Sequence, residues 1–279
     1  MTKIILLTDL HMAPEGQTII GLDPFERIGK AVEHINRYQA DADLVVLSGD
    51  LTHYGDEASY LRLRRLLAGL VPPLAMTIGN HDRRPVFRKV FSEIEPDGDG
   101  FIQRVMDFED CRVIVLDTAH DRPADDPLRS AGTLCDLRLA FLENALSSAG
   151  ALPVLVFMHH PPHDTGFVGM DEIKLTNGEE FHDLIARFGN VRHIFAGHVH
   201  RTINGTYRGT AYSILKSPVH QQPMPFEVND SDSSVDEPGA YGIIRVMPRG
   251  IQVHNEDYEI AVRTDERSSI PAGMVAPVG

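Results

Sequence analysis

Tryptophan is absent from the chain, and cysteine nearly so. Only Cys111 and Cys135 occur, and no Cys-x-x-Cys pair is present. That excludes a thiolate zinc site, and both thiols fall in or beside apolar segments, where burial is expected. Positive charge is short: 26 Lys and Arg face 40 Asp and Glu, a net charge of -14 with histidines neutral. So acidic a surface repels polyanions, which argues against nucleic-acid polymers and anionic membranes as partners. No apolar run nears the roughly 20 residues of a membrane span. No secretory leader precedes the strand-like run that begins at Lys3, so a cytoplasmic location is expected. A Gly-x-Ser-x-Gly elbow is missing too, and with it one common anchor for a nucleophilic serine.

What is present suffices for a large core: 279 residues, 42% of them hydrophobic. Residues 4–7, 44–47 and 74–78 are short apolar runs that read as buried strands. Between them, residues 24–39 and 56–70 recur at helical spacing, the first opened by Asp23-Pro24 as cap and first helical residue. Strand, helix, strand, helix, strand is the pattern of a parallel sheet, and such sheets place ligands beyond their C-terminal strand ends. Farther on, residues 101–108 and 111–117 predict an antiparallel pair. Residues 134–149 and 177–188 predict helices, 154–158 and 191–196 strands. Two hairpins follow, over 203–207 with 210–215 and over 241–247 with 251–258. Residues 1–260 are expected to form one domain. Within it, the Pro-, Asp- and Ser-rich segment 221–239 is an excursion, either lid or oligomer contact, and residues 261–279 are a tail.

Five polar clusters stand directly after apolar runs: Asp9-Leu10-His11, Gly49-Asp50, Gly79-Asn80-His81-Asp82, His159-His160 and Gly197-His198-Val199-His200. Any one of these histidines is more often structural than a ligand, and Gly49-Asp50 alone is an ordinary turn. Their shared position argues for one site. On extended backbone, the i, i+2 spacing of Asp9 with His11 and of His198 with His200 points each pair the same way. Aspartate and histidine together suit manganese, iron, zinc or cobalt rather than calcium. The candidate ligands are Asp9, His11, Asp50, Asn80, His159 or His160, His198 and His200. Seven exceed one tetrahedral site and fit two ions sharing a carboxylate. Two divalent ions, less two carboxylates and a hydroxide, leave a charge of about +1, suited to a phosphodiester monoanion. His81 is a candidate proton donor or phosphate ligand, and Asp82 a candidate for orienting it or its turn. Arg83 and Arg84 are either phosphate ligands or a solvated basic pair, the second being commoner. His34, His182, His193 and His254 are expected to be structural, while His53, His163 and His220 stay open.

Taken in order, the five clusters resemble the signature of the calcineurin-like metallophosphoesterases: Asp-x-His, Gly-Asp, Gly-Asn-His-Asp or Glu, His, and Gly-His-x-His. The resemblance spans about residues 3–200. The short Asp9-Leu10-His11 form and the run Met158-His159-His160-Pro161-Pro162 are similar to bacterial class III cyclic-nucleotide phosphodiesterases and their glycerophosphodiesterase relatives. Met170-Asp171 with Asn177-Gly178 is similar to the latter. The resemblance implies a four-layer α/β/β/α sandwich of two mixed sheets flanked by helices. It implies one ion held by Asp9, His11, Asp50 and His200, and another by Asp50, Asn80, His159 and His198. It makes His159 the ligand of its pair, His81 catalytic with Asp50 and Asn80, and His53 a departure from the Asn that relatives often carry. By analogy it points to a homo-oligomer through the C-terminal excursion, where His220 and Gln221 are candidates for the pocket or a subunit contact.

The expected activity is hydrolysis of small phosphodiesters, cyclic nucleotides or glycerophosphodiesters, by in-line attack of a metal-bound hydroxide. The cofactors are two divalent or mixed-valence transition-metal ions. One rival is a phosphomonoesterase or nucleotide pyrophosphatase on the same site, which would profit from extra cationic groups. Another is a metal-binding scaffold without turnover.

Overall fold

The computed structural model describes residues 1–121, 123, 125–226, 229 and 231–259. The expected tail, 261–279, lies outside the described residues. The first sheet runs β11-β10-β1-β2-β3, with β1 (Lys3–Leu7), β2 (Leu44–Ser48), β3 (Leu74–Thr77), β10 (Tyr241–Met247) and β11 (Gly250–Glu256). Within it β1, β2 and β3 are parallel, and β10 joins β1 antiparallel, pairing Lys3 with Arg245. The second sheet runs β4-β5-β6-β7-β9-β8, with β4 (Arg104–Asp107), β5 (Arg112–Val115), β6 (Val154–Phe157), β7 (Val191–Ala196), β8 (Ile203–Tyr207) and β9 (Thr210–Ile214). Its four central strands, β5, β6, β7 and β9, are parallel.

Strand alternation divides these side chains among three cores. Ile4 and Leu6 of β1 face the second sheet, meeting Val113, Val115, Leu155, Phe157 and Phe195. Ile5 and Leu7 face outward, packing under α1 (Pro24–Tyr38), α2 (Glu57–Leu67) and α3 (Arg84–Val90). On the far side, Ile114, Val156 and Ile194 pack under α4 (Asp136–Ser147) and α6 (Gly178–Phe188). Period-2 sidedness thus builds four layers, α/β/β/α, as expected. Both faces of the central strands are covered, so β2 is buried at every position and reads as an unbroken apolar run.

Local chemistry sets the helix starts. Asp23 accepts from the Phe25 N–H at 2.9 Å and Asp56 from the Ser59 N–H at 3.0 Å. The apolar runs did not reveal α3, a helix of seven residues with Pro85 in its first turn. Nor did they reveal α5 (Val168–Asp171), a single turn.

Candidate metal centre

The parallel strands deliver their ends to one edge. Asp9 follows β1, Asp50 follows β2 and Asn80 follows β3 in the first sheet; His159 follows β6 and His198 follows β7 in the second. Apart from the partly exposed Asn80, the seven expected ligands are buried. Two approaches make this convergence depend on glycine. A Cβ on Gly79 would stand 2.3 Å from Asp50 Oδ1 and 2.7 Å from His159 Nε2. One on Gly197 would stand 1.8 Å from Thr8 Oγ1.

Contrary to what their spacing predicts, the i, i+2 pairs do not lie on extended backbone. Asp9, His11, Asp50, His198 and His200 all have left-handed φ, between 43° and 70°. Each costs about 1–3 kcal/mol for a residue with a Cβ. The pairs converge because tight turns fold them back, not because strand pleating aligns them. These five account for most of the seven non-glycine residues with positive φ among the described residues. Strain is therefore concentrated where the polar side chains meet.

The side chains meet closely. Asp9, His11, Asp50 and His200 place ligand atoms within 4.8 Å of one another. His11 Nε2 is 3.0 Å from His200 Nε2 and 3.6 Å from Asp50 Oδ2, and His200 Nε2 is 3.4 Å from Asp9 Oδ1. His159 Nε2 lies 3.3 Å from Asp50 Oδ2 and 3.1 Å from Asn80 Oδ1, so Asp50 stands between the two groups. Hydrogen bonds from the chain aim the rings. His159 Nδ1 donates to Ser48 O at 3.0 Å and His200 Nδ1 to His220 O at 2.9 Å, which turns each Nε2 toward the carboxylates. His160 differs: its Nδ1 meets Thr118 Oγ1 at 2.8 Å and its Nε2 meets Ser130 O at 3.1 Å. Both its nitrogens are held by Thr118 and Ser130, whereas His159 Nε2 faces Asp50 and Asn80.

Electrostatics show that this cluster fits a cation. Burial opposes charge on His159, yet the Asp50 carboxylate, its hydrogen bond and Asp9 hold the imidazolium up to about 9. A proton lodged between buried carboxylates marks a place short of positive charge. Burial also opposes ionisation of Asp50, but His159 and His81 keep it well below the usual carboxylate range. Burial, then charge on neighbouring histidines, drives His11 and His198 well below the usual imidazole range, so they keep bare nitrogens. His198 Nε2 is buried with no hydrogen-bond partner. An orphaned imidazole nitrogen beside carboxylates is what a first-row metal would satisfy.

A cavity of about 300 Å³ opens on the cluster. His11, Asp50, Asn80, His198 and His200 line it, with His53, His81 and His220 added. Its walls include Ser130, Met170, Ile173 and Ser231–Ser234. A wider cleft of about 690 Å³ adjoins it and shares His53, Asn80, His81, Ser130 and Asp232.

A model of the calcineurin-like phosphoesterase family matches residues 2–202. The chain belongs to the calcineurin-like phosphoesterase family. This phosphoesterase is 40% identical over 253 residues to a probable cyclic nucleotide phosphodiesterase of Rhodopseudomonas palustris, covering 90% of this chain and 91% of that one. It is 32% identical over 226 residues to a glycerophosphodiester phosphodiesterase of Enterobacter lignolyticus, covering 79% of each. Its fold is similar to that of a dimetal phosphatase from Danio rerio, with a TM-score of 0.68, 14% identity and coverage of 91% and 98%.

Other expected residues of the phosphoesterase take different places. Arg84 is neither solvated nor free for phosphate. It forms a two-pronged pair with buried Asp117, at 2.9 and 3.0 Å, and reaches Asp121 at 2.7 Å. Asp82 orients the turn rather than the imidazole of His81. Its carboxylate accepts from the backbone N–H of Leu51, Thr52 and Gly79 and from the hydroxyls of Thr52 and Tyr60. Tyr60 was missed as a site residue, since it sits on the apolar face of α2 and nothing in the pattern marks its hydroxyl. His34, His182, His193, His254 and His163 do not line the cavity. His163 packs on His182 and Tyr207 instead. His53 and His220 do line it. The excursion 221–239 contributes wall residues, closed at its base by a Gln221–Val235 bridge and an Arg201–Glu237 pair at 2.8 Å. Among the described residues, no helix is long and apolar enough to cross a membrane.

Proposed function

We propose that the chain is a dinuclear-metal phosphodiesterase acting on small diesters, cyclic nucleotides or glycerophosphodiesters. The observation that carries this reading is the make-up of the site. Buried carboxylates and bare imidazole nitrogens converge, and no lysine or arginine stands among the described residues lining the cavity that opens on them, Arg83 and Arg129 lining only the adjoining cleft. One ion would be held by Asp9, His11, Asp50 and His200, the other by Asp50, Asn80, His159 and His198, with Asp50 shared. When bound, the ions acidify water and neutralise phosphoryl oxygens. A diester monoanion needs no further fixed charge, whereas a monoester dianion gains from one. Two spaces meeting at Asn80 and His81 also suit a phosphorus that carries two organic arms.

The chain's own groups do the positioning. His81 Nδ1 donates to His53 O at 2.8 Å, so Nε2 is the nitrogen left for substrate. In its imidazolium form His81 passes that Nε2 proton to the departing alkoxide. The His81 backbone N–H donates to Asp50 Oδ1 at 2.9 Å, which ties the proton donor to the shared carboxylate. The names of the relatives, a cyclic nucleotide phosphodiesterase and a glycerophosphodiester phosphodiesterase, support the substrate class.

The test is hydrolysis of a chromogenic phosphodiester and its matching monoester by chelator-stripped protein with manganese restored. Faster, metal-dependent diester cleavage is expected. Asn80→Ala should cut it strongly and weaken one of two bound ions. A faster monoester would replace this reading with the phosphatase, and two bound ions without cleavage of either would leave a scaffold.

A further inference from the structure

We propose that His53 is a positioning residue that sets the tautomer of His11 and thereby readies it to hold a cation. This inference rests on the metal centre of the preceding reading and assigns a role within it to a residue outside the ligand set.

His11 Nδ1 and His53 Nδ1 lie 3.1 Å apart, so a single proton sits between them. The other nitrogen of His11, Nε2, is the one that faces His200 and Asp50. His159 and His200 have their tautomers fixed by backbone carbonyls, which can only accept. His11 has no such carbonyl at Nδ1. Its partner there is an imidazole, which can donate or accept, so its tautomer is free to reverse.

Two proton arrangements satisfy this chain. In one, His11 carries its proton on Nε2 and gives it to the bare Nε2 of His200 at 3.0 Å, while His53 Nδ1–H donates to His11 Nδ1. In the other, His11 Nε2 is bare, its proton sits on Nδ1 and is donated to His53 Nδ1, and His53 carries its own proton on Nε2. Only the second offers His11 Nε2 as a ligand. Cation binding therefore reverses the hydrogen bond and moves the His53 proton from Nδ1 to Nε2, with no net gain or loss of protons by the pair. Donation to a good acceptor also raises the basicity of a ligating imidazole.

The rest of the loop holds the ring in place for this. The His53 N–H donates to Met12 O at 3.0 Å, and its carbonyl accepts from His81 Nδ1 at 2.8 Å. The ring stacks on His81 with centroids 5.1 Å apart and meets Tyr54 edge-on at 4.6 Å. One residue thus fixes the ligand His11 through its side chain and the proton donor His81 through its backbone.

Two variants separate hydrogen bonding from packing. His53→Phe keeps a stacking ring and removes the acceptor. His53→Asn loses the ring but places an amide oxygen near the position of Nδ1. Calorimetric titration of chelator-stripped protein with manganese should show two ions for wild type. His53→Phe should weaken one of them about 10–100-fold. His53→Asn should stay near wild type. Unchanged affinities in His53→Phe, or equal losses in both variants, would overturn the proposal. A wild type that binds fewer than two ions would instead overturn the dinuclear reading on which it stands. A variant-free check is long-range proton–nitrogen NMR of wild type without metal and with zinc. The His53 proton is expected to move from Nδ1 to Nε2, and a His53 that keeps Nδ1–H in the zinc form would refute the reversal.

Discussion

Replacing Asp82 by alanine should loosen the turn that carries Asn80 and His81. Three backbone N–H groups, of Leu51, Thr52 and Gly79, point at this carboxylate from 2.9 to 3.1 Å. The Thr52 and Tyr60 hydroxyls add two more donors and can rotate to other acceptors. The three amides cannot. At about 1–3 kcal/mol for each buried donor left unpaired, the gross loss is about 3–9 kcal/mol. An opposing effect must be subtracted. Burial, then the Asp50 charge, raises Asp82 to about 6. Against an unfolded carboxylate near 3.9, the buried charge itself costs about 3 kcal/mol at neutral pH. A net loss of about 3 kcal/mol remains, with the midpoint of the gross range as guide. Urea unfolding of chelator-stripped wild type and Asp82→Ala measures it directly. A loss below about 1 kcal/mol would refute the idea that these amides depend on Asp82. Weakened manganese binding in the variant would show that the turn positions Asn80.

Arg84→Met should cost about 3 kcal/mol by stranding Asp117, which is fully buried and, among the described residues, keeps Arg138 at 3.8 Å as its charged partner. Thermal unfolding measures this, and a raised KM with unchanged stability would instead make Arg84 a phosphate ligand. His193, which meets Ser213 Oγ at 2.9 Å, is lowered by burial to about 4. Its folded value lies below the unfolded 6.5, so its contribution is present above 6.5 and lost as pH falls towards 4. Between pH 7 and 5 the loss is about 2 kcal/mol. His193→Gln should flatten that part of the pH dependence in urea unfolding, and an identical slope in both proteins would show that burial does not hold His193 neutral.

Features that depend on neighbours along the chain were legible before any fold was known. Apolar runs marked the strands because both faces of β2 and its companions are covered. Asp23 marked a helix start because a cap bonds within three residues. The five clusters marked the site because parallel strands bring their C-terminal ends to one edge whatever the loops do. Tertiary structure decided which group meets which across long separations. His53 lies 42 residues from His11, Asp82 31 from Leu51, and Arg84 33 from Asp117. No periodicity encodes such pairs, since each is set by how two loops pack above two sheets. The same packing holds Asp9, His11, Asp50, His198 and His200 in left-handed turns that their residue types would not choose alone. It also turns His159 Nε2 toward Asp50 and Asn80, while both nitrogens of His160 meet Thr118 and Ser130.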